Sequence, residues 1–358
     1  MPSWNLPEIG TDQISLLRLS GLSNACYRVK LHPEKSEGDK VGQVKPEILL
    51  YRCFDCPIVD WDMENEIFES LSDQSLGPKL YHRSKHFRIE EFFLSRPITI
   101  FEMRNTLFLD IYAEKICDFN HNPKLRERVL KYLPMTSLYV DQGINLWHKE
   151  VVERLPTIRD KYSSHPSILK VLETFEKTFL FPSAQDHFKA LVPRDSEIVL
   201  SHNDAQENNI LASLENATRV IFIDFEYTGW NPRAMDLANY FNETMLDNAY
   251  PLENGIKVYL ENFISDREQE QVITRYLSHY HKHYYTGKDD LEAYVKREMP
   301  KVIDEVCKCL LLNNYFWAIW SLRMLKEEKL GDPNVFNFDF AQGRVEMYNH
   351  VKSLYFKV

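Results

Sequence analysis

Cysteine is scarce, with six in 358 residues, at Cys26, Cys53, Cys56, Cys117, Cys307 and Cys309. They are too few and too scattered to frame a disulfide-stapled fold. Cys53-x-x-Cys56 has the spacing of a redox pair, but it falls in a strand-like run without βαβ context. The thiols therefore read as ordinary and reduced. Basic charge is short as well. Lys and Arg number 43 against 53 Asp and Glu, a formal net charge of −10, which argues against nucleic acid, whose phosphates need a basic surface. That balance suits a cationic small molecule, through steering alone. No apolar run reaches the roughly 18 residues of a membrane span. Met-Pro-Ser-Trp-Asn-Leu-Pro-Glu at the start has neither the basic nor the apolar region of a secretory signal. Internal repeats, low-complexity tracts and Gly/Ser-rich linkers are missing too. The expectation is a cytoplasmic protein, and 44% hydrophobic residues suffice for one large or two moderate cores.

What is present gathers in residues 195–228. The apolar Ile198-Val199-Leu200 leads into Ser201-His-Asn-Asp-Ala-Gln-Glu-Asn-Asn209, and Ile210-Leu-Ala212 follows. Val220-Ile-Phe-Ile223 then ends in Asp224-Phe-Glu-Tyr227. Two polar clusters thus close short strands, where Asp204, Asn209, Asp224 and Glu226 are able to converge. Carboxylates with a carboxamide are hard oxygen ligands that suit Mg²⁺ sharing phosphate oxygens. Asp-x4-Asn followed by an Asp ending a strand repeats the logic of a phosphoryl-transfer loop. There one Asp takes the proton of the attacking hydroxyl, while the Asn and the second Asp hold metal on a triphosphate. An Asx-rich turn with solvated side chains contains the same Asp-x4-Asn. The strand flanks and Ile-Asp-Phe-Glu separate the two readings.

Elsewhere the signals are individually weaker. Residues 14–30 read as strand, tight turn, strand, with Gly21, Ser23 and Asn24 as turn formers that either cover phosphates or merely join strands. Glu47–Phe54 is a strand whose Arg52 is a phosphate-reaching cation or an ordinary surface residue. Residues 62–72 have helical spacing, with Met63, Ile67, Phe68 and Leu71 on one face and Glu64 and Glu66 within reach of Arg52. Strands around Leu80-Tyr81 and over Phe87–Phe92 complete a small β-rich lobe, and Glu91–Pro97 crosses to the rest. Helical patterns follow at 100–117, 124–150 (interrupted near Pro134), 165–190 and 234–247. The last carries Glu243 and Asp236, placed to cap the helix or brace the 201–209 loop. His148 reads as a core or surface histidine. His279, His281 and His283 alternate, so only the outer two share a helix face and no metal site is expected. Trp317 and Trp320 share a face of the 313–323 helix, and Phe336, Phe338 and Phe340 follow. Such pairs are usually core, but beside a carboxylate such as Glu243 they would cage a quaternary ammonium.

Over essentially its whole length the chain resembles the choline/ethanolamine kinases, and choline kinases most. Ser201–Asn209, Ile223–Tyr227 with the following 231–239 run, and Phe316-Trp-Ala-Ile-Trp-Ser321 carry the match. Ser20–Asn24, Leu76-Gly-Pro-Lys-Leu-Tyr81 and Asp339-Phe-Ala-Gln-Gly-Arg344 support it. The resemblance implies an α+β, bilobal, protein-kinase-like fold. Residues 1–95 would form a small β-rich lobe covering ATP, and 96–358 a large, mainly helical lobe for catalysis and substrate. It implies ATP- and Mg²⁺-dependent phosphorylation of choline, the first step of phosphatidylcholine synthesis by the CDP-choline route, or of ethanolamine, or of both, by a cytoplasmic homodimer. Asp204 would be the catalytic base and Asp224 the principal metal ligand, assisted by Asn209 and Glu226. Ser20, Gly21, Leu22, Ser23 and Asn24 would cover the phosphates. Arg52, held by Glu64 (Glu66 is the second choice), and Gln206 would contact ATP, while Glu91, Phe92 and Leu94 line the adenine. The amino alcohol would sit against Tyr227, Glu243, Trp317 and Trp320, with Phe336 and Phe340 closing the cage. Four positions depart from the family: Ser20 where a Gly is usual, Asp55 where the strand normally ends in Gly, Ala205 where a larger apolar residue is usual, and Asn248 where a cage tyrosine is expected, with Tyr250 close by.

Overall fold

The computed structural model describes residues 13–19, 24–32, 48–54, 60–216, 218–251 and 255–356. The phosphate-covering turn expected at Ser20, Gly21, Leu22 and Ser23 lies outside the described residues, as do Asp55 and Cys56, and Asn24 enters only through its backbone. The chain begins with strands β1 (Ile14–Arg18), β2 (Asn24–Leu31) and β3 (Ile48–Phe54), helix α1 (Trp61–Asp73), and strands β4 (Leu80–Arg83), β5 (Phe87–Glu91) and β6 (Ser95–Pro97). Helices α2 (Thr106–His121), α3 (Pro123–Val129), α4 (Tyr139–Gln142), α5 (His148–Lys161), α6 (Pro166–Phe179) and α7 (Ala184–Leu191) come next. Strands β7 (Ile198–Ser201), β8 (Ile210–Ser213), β9 (Val220–Phe222) and β10 (Gly229–Pro232) bracket the two polar clusters. Helix α8 (Ala234–Glu243), strands β11 (Leu246–Asp247) and β12 (Lys257–Val258), and helices α9 (Asp266–His283), α10 (Leu291–Arg323) and α11 (Phe336–Tyr355) complete the order.

These elements form two compact units. The first is Met1–Arg96 with two later returns of the chain, Pro123–Pro134 and Ala212–Glu226, where a boundary read along the sequence stops at residue 95. Its centre is the antiparallel sheet β1-β2-β3-β5-β4. Helix α1 starts on Asp60, whose carboxylate accepts from the Met63 N–H at 3.0 Å, as an N-cap should. It buries the Met63, Ile67, Phe68 and Leu71 stripe that its spacing predicts. Returning helix α3 buries Leu125 and Val129 and sends Arg128 to Glu66 and Asp73 of α1 at 2.6 and 2.8 Å.

The second unit is helical and is built around α10. From Cys309 to Ile319 every residue of that helix is buried, the mark of an internal rather than an amphipathic surface helix. Gly143 lets the preceding helices approach it, because a Cβ there would fall 2.5 Å from the Phe316 ring. Several expected helices are shorter in the structure. The 100–117 pattern begins only at Thr106, capped by Asn105, which accepts from the Leu107 N–H. The 124–150 pattern stops at Val129 and resumes at Tyr139. The 165–190 pattern breaks between Phe179 and Ala184, where Pro182 has no N–H to donate. The 234–247 pattern ends at Glu243, and Leu246–Asp247 pairs instead with Lys257–Val258. Periodicity finds a helix face but not the terminal hydrogen bonds that stop it.

Candidate active site

In the first unit, a charge quartet lies behind Asp224. Arg52 on β3 stands directly opposite Arg88 on β5 in the ladder, and like charges so placed repel. Two carboxylates offset this. Glu90, two residues along from Arg88 and therefore on the same sheet face, accepts from Arg52 Nε at 2.8 Å and Arg88 Nε at 2.5 Å. Glu64 on α1 takes the far end of Arg88, with Nη2 at 3.0 Å and a second bond from Nη1. This corrects the expected pairing. The partner of Arg52 is Glu90, Glu64 belongs to Arg88, and Glu66 is engaged by Arg128, Arg83 and Tyr132. Burial works against the charged form of Arg52, but Glu90, Cys26 and Glu64 outweigh it and raise its basicity. Burial likewise opposes ionised Glu90, and Arg52 and Arg88 overcome it and lower its pKa.

Asp224 is pushed above the usual carboxylate range mainly by burial, with Glu64 and Glu90 adding to the rise and Arg52 and Arg88 opposing it. Two arginines against three carboxylates leave one negative charge uncompensated. Its backbone is left-handed (φ 67°), a conformation that Asp tolerates better than most residues. A half-buried, under-neutralised carboxylate on a left-handed turn suits a hard divalent cation. Among the described residues no group of three or more His, Cys, Asp or Glu closes around a metal, but an ion sharing phosphate oxygens needs no such cage. Along the segment expected to line adenine, Glu91 accepts from the Lys79 N–H at 3.0 Å, Phe92 lies under the Arg28 guanidinium at 5.4 Å, and the Leu94 carbonyl accepts from Leu214 N at 3.0 Å. Glu226 is partly buried on the same turn as Asp224.

In the second unit, antiparallel β7 and β10 pair Ser201 with Gly229 and Val199 with Asn231 and aim the 201–209 loop. Asn203, also left-handed at φ 68°, donates its Nδ2 to the Tyr227 carbonyl at 2.8 Å and accepts from Asn231 Nδ2 at 2.8 Å. Asp236, wholly buried, accepts from the His202 and Asn203 N–H groups at 3.1 and 2.8 Å. Of the two expected roles for Asp236, bracing the loop is the one its bonds perform. Burial pushes its pKa up to about 6, with the Asn203, Asn120 and His202 hydrogen bonds pulling the other way. Asn239, also on α8, accepts from the Ala205 N–H at 2.8 Å. Asp204, only half-buried, receives Asn209 Nδ2 on its carboxylate at 2.8 Å and on its carbonyl at 2.9 Å. Of the Asn209 carboxamide, the oxygen is the atom suited to a cation. Gln206 turns back on the loop, its Oε1 accepting from the Asn208 N–H at 2.8 Å.

The aromatic residues meet in the same unit. Tyr227 lies 5.1 Å from Trp317 and 6.1 Å from Trp320, both edge to face. Trp317 and Trp320 are 5.3 Å apart, and Trp320 continues to Phe340 at 5.8 Å and Phe336 at 6.4 Å. Phe338, two residues from each phenylalanine and so on another helix face, packs on Tyr162 instead. Glu243 is not an uncompensated anion, because Arg344 donates to it at 2.6 Å and both side chains are almost fully buried. The Arg344 guanidinium also covers the Phe340 ring at 4.7 Å. Asn248 bridges two carboxylates, its Nδ2 at 3.2 Å from both Glu207 and Glu243 and its N–H at 2.7 Å from Glu207. Burial, then Glu243, raises the pKa of Glu207 to about 8, against the opposing Asn248 bonds. Tyr250 lies under Lys257 at 4.8 Å. Sequence reasoning missed Arg88, Glu90, Glu207 and the pairing of Arg344. The alternation Arg88-x-Glu90 within a strand was the available signal for the first two.

A family model described as choline/ethanolamine kinase matches residues 17–349. The human protein named choline/ethanolamine kinase is 27% identical over 335 residues, covering 92% of this chain and 77% of that one. A solved choline kinase from Cryptosporidium parvum superposes with a TM-score of 0.66 at 21% identity, over 98% of this chain and 92% of the other. A solved Plasmodium vivax ethanolamine kinase gives 0.64 at 22% identity, over 94% and 83%. Those two likenesses establish the bilobal, protein-kinase-like fold, with its small β-rich lobe and mostly helical remainder. With nearly the whole chain matched by one family model, the protein is a kinase belonging to the choline/ethanolamine kinase family.

Proposed function

We propose that the protein transfers the γ-phosphoryl group of ATP to the hydroxyl of choline, giving phosphocholine and ADP. The bond formed joins the alcohol oxygen to the γ-phosphorus, and the bond broken is the one to the β,γ-bridging oxygen, which leaves with ADP. Asp204 accepts the hydroxyl proton, a role worth about 10²–10⁴-fold in rate, and Asn209 orients its carboxylate. Arg52, secured by Glu90, is read as the cation for the triphosphate, and the loop Ser201–Asn209 is kept in place by Asp236 and Asn239. Asp224, with Asn209 and Glu226, would hold Mg²⁺. When bound, the ion neutralises charge on the transferring phosphates.

The observation that carries choline is the continuous run of Tyr227, Trp317, Trp320, Phe336 and Phe340. A trimethylammonium donates no hydrogen bonds and is held by ring faces. A second reading, ethanolamine or both alcohols, draws on the polar Glu207–Asn248–Glu243 group, since a primary ammonium needs acceptors. Turnover of choline against ethanolamine under saturating Mg-ATP tests the choice. A kcat/KM ratio at or below unity overturns choline.

A further inference from the structure

The loop that carries Asp204 is held from below by a chain of hydrogen bonds whose donor directions follow from chemistry alone. Asn120, at the end of α2, places its carboxamide nitrogen 2.8 Å from the Leu200 carbonyl and 2.8 Å from Asp236 Oδ2. A carbonyl only accepts, so both amide hydrogens are committed and Oδ1 is left to accept. Tyr276 of α9 supplies that hydrogen, its hydroxyl 2.9 Å from Asn120 Oδ1. A phenol has a single hydrogen, so the tyrosine oxygen must itself accept from the next group. That group is His121, whose Nε2 is 2.8 Å away. His121 therefore carries its hydrogen on Nε2, and its Nδ1 faces Glu197 at 3.5 Å. Every hydrogen bond points towards Asp236: His121 to Tyr276, Tyr276 to Asn120, Asn120 to Asp236. Asp236 receives the two loop N–H groups from the other side. Asn120 and Asp236 are wholly buried, and Tyr276 is nearly so. A misdirected or missing donor here has no water to replace it.

We propose that Asn120, Tyr276 and His121 are positioning residues for phosphoryl transfer: a one-way relay from three sites on α2 and α9 that holds Asp236, and through it the His202 and Asn203 peptides, so that Asp204 keeps its place. The link to turnover rests on the reading of Asp204 as the base. The relay itself does not. Asn120 secures both ends of the loop's foundation, the Leu200 carbonyl of β7 and the α8 carboxylate, while Tyr276 fixes which way the amide faces. Losing the tyrosine hydroxyl lets the amide rotate, and a rotated amide presents its oxygen to two acceptors.

The test uses Tyr276→Phe, which keeps the ring and its packing, Asn120→Ala, and the double variant of the full chain. Two measurements are made: amide hydrogen exchange at His202 and Asn203, and steady-state kinetics with Mg-ATP and whichever amino alcohol the parent turns over better. Both single variants should exchange faster at His202 and Asn203, and lose about 10- to 100-fold in kcat with KM for ATP within about twofold of the parent, as for a misplaced reacting group. The double variant should be no worse than the worse single, because both substitutions cut one chain. Unchanged exchange at both amides, or losses that multiply in the double variant, overturns the relay. Faster exchange together with full turnover in Asp204→Ala upholds the relay and removes the catalytic role of Asp204 instead. Should Asn120→Ala fail to fold, Tyr276→Phe alone decides, through the same two amides.

Discussion

Two sets of buried carboxylates, one in each unit, are held in opposite ways. In the first, Glu64 and Glu90 face Arg52 and Arg88, and full charges cancel. In the second, Asp236 is met by peptide N–H groups and one carboxamide, and Glu207 by Asn248. Ion pairing lowers the pKa of Glu90. Neutral donors fall short of the burial cost, so Asp236 rises to about 6 and Glu207 to about 8. Breaking a charged cluster leaves a bare ion in a low dielectric. Breaking a neutral one leaves a group that can still take up a proton. The first set should therefore fail through stability, and the second through geometry and pH.

The largest expected effect sharpens the second half of that contrast. Asp204→Ala should lower kcat by about 10²–10⁴-fold with nucleotide affinity retained in a binding titration, and ordinary turnover would remove Asp204 from the mechanism. Next is the charged cluster. Arg88→Leu strips Glu64 and Glu90 of a shared partner and should cost about 3–5 kcal/mol in denaturant unfolding. A loss below about 1 kcal/mol would put it in the range of an exposed pair and break the comparison. A smaller effect concerns the rings. Trp320→Ala should raise KM for choline about 3- to 20-fold, in keeping with a cation–π contact of about 0.5–2 kcal/mol, and raise it less for ethanolamine; equal changes would discard the cage.

The smallest effect tests the pH contrast. A carboxyl whose folded pKa lies above its unfolded one holds a proton in the native state that the unfolded chain has released, so stability falls as pH rises between the two values. For Glu207 that window runs from the ordinary 4.5 to about 8. Glu207→Gln should therefore raise the thermal midpoint at pH 9 by about 2–4 °C relative to the parent and leave it unchanged at pH 4. A gain that is the same at both pH values would mean that Glu207 ionisation has no part in it.

Some of the site was legible because it is local. Asp204, Asn209 and Asp224 stand at fixed offsets from strand-like runs, and Trp317 and Trp320 differ by three residues, so period and spacing alone put them at strand ends and on one helix face. Asp236 was legible as a helix cap or a loop brace for the same reason, lying two residues into α8 just past β10, and the bonds to His202 and Asn203 chose the brace. The Arg52 partner was not. Glu64, Glu66 and Glu90 are all within plausible reach in sequence terms, and the choice follows from ladder register, which places Arg88 opposite Arg52.

Left to itself, the chain of letters determined the family, the placement of the two polar clusters at strand ends, and the shared helix face of Trp317 and Trp320, because these rest on residue type and near-neighbour spacing. Only the folded structure decided which charge meets which: Glu90 with Arg52, Arg344 with Glu243, and Asn120 with Asp236, partners 38, 101 and 116 residues apart. Ion pairs and buried hydrogen bonds fall off over a few ångströms, and separation along the chain says nothing about separation in space.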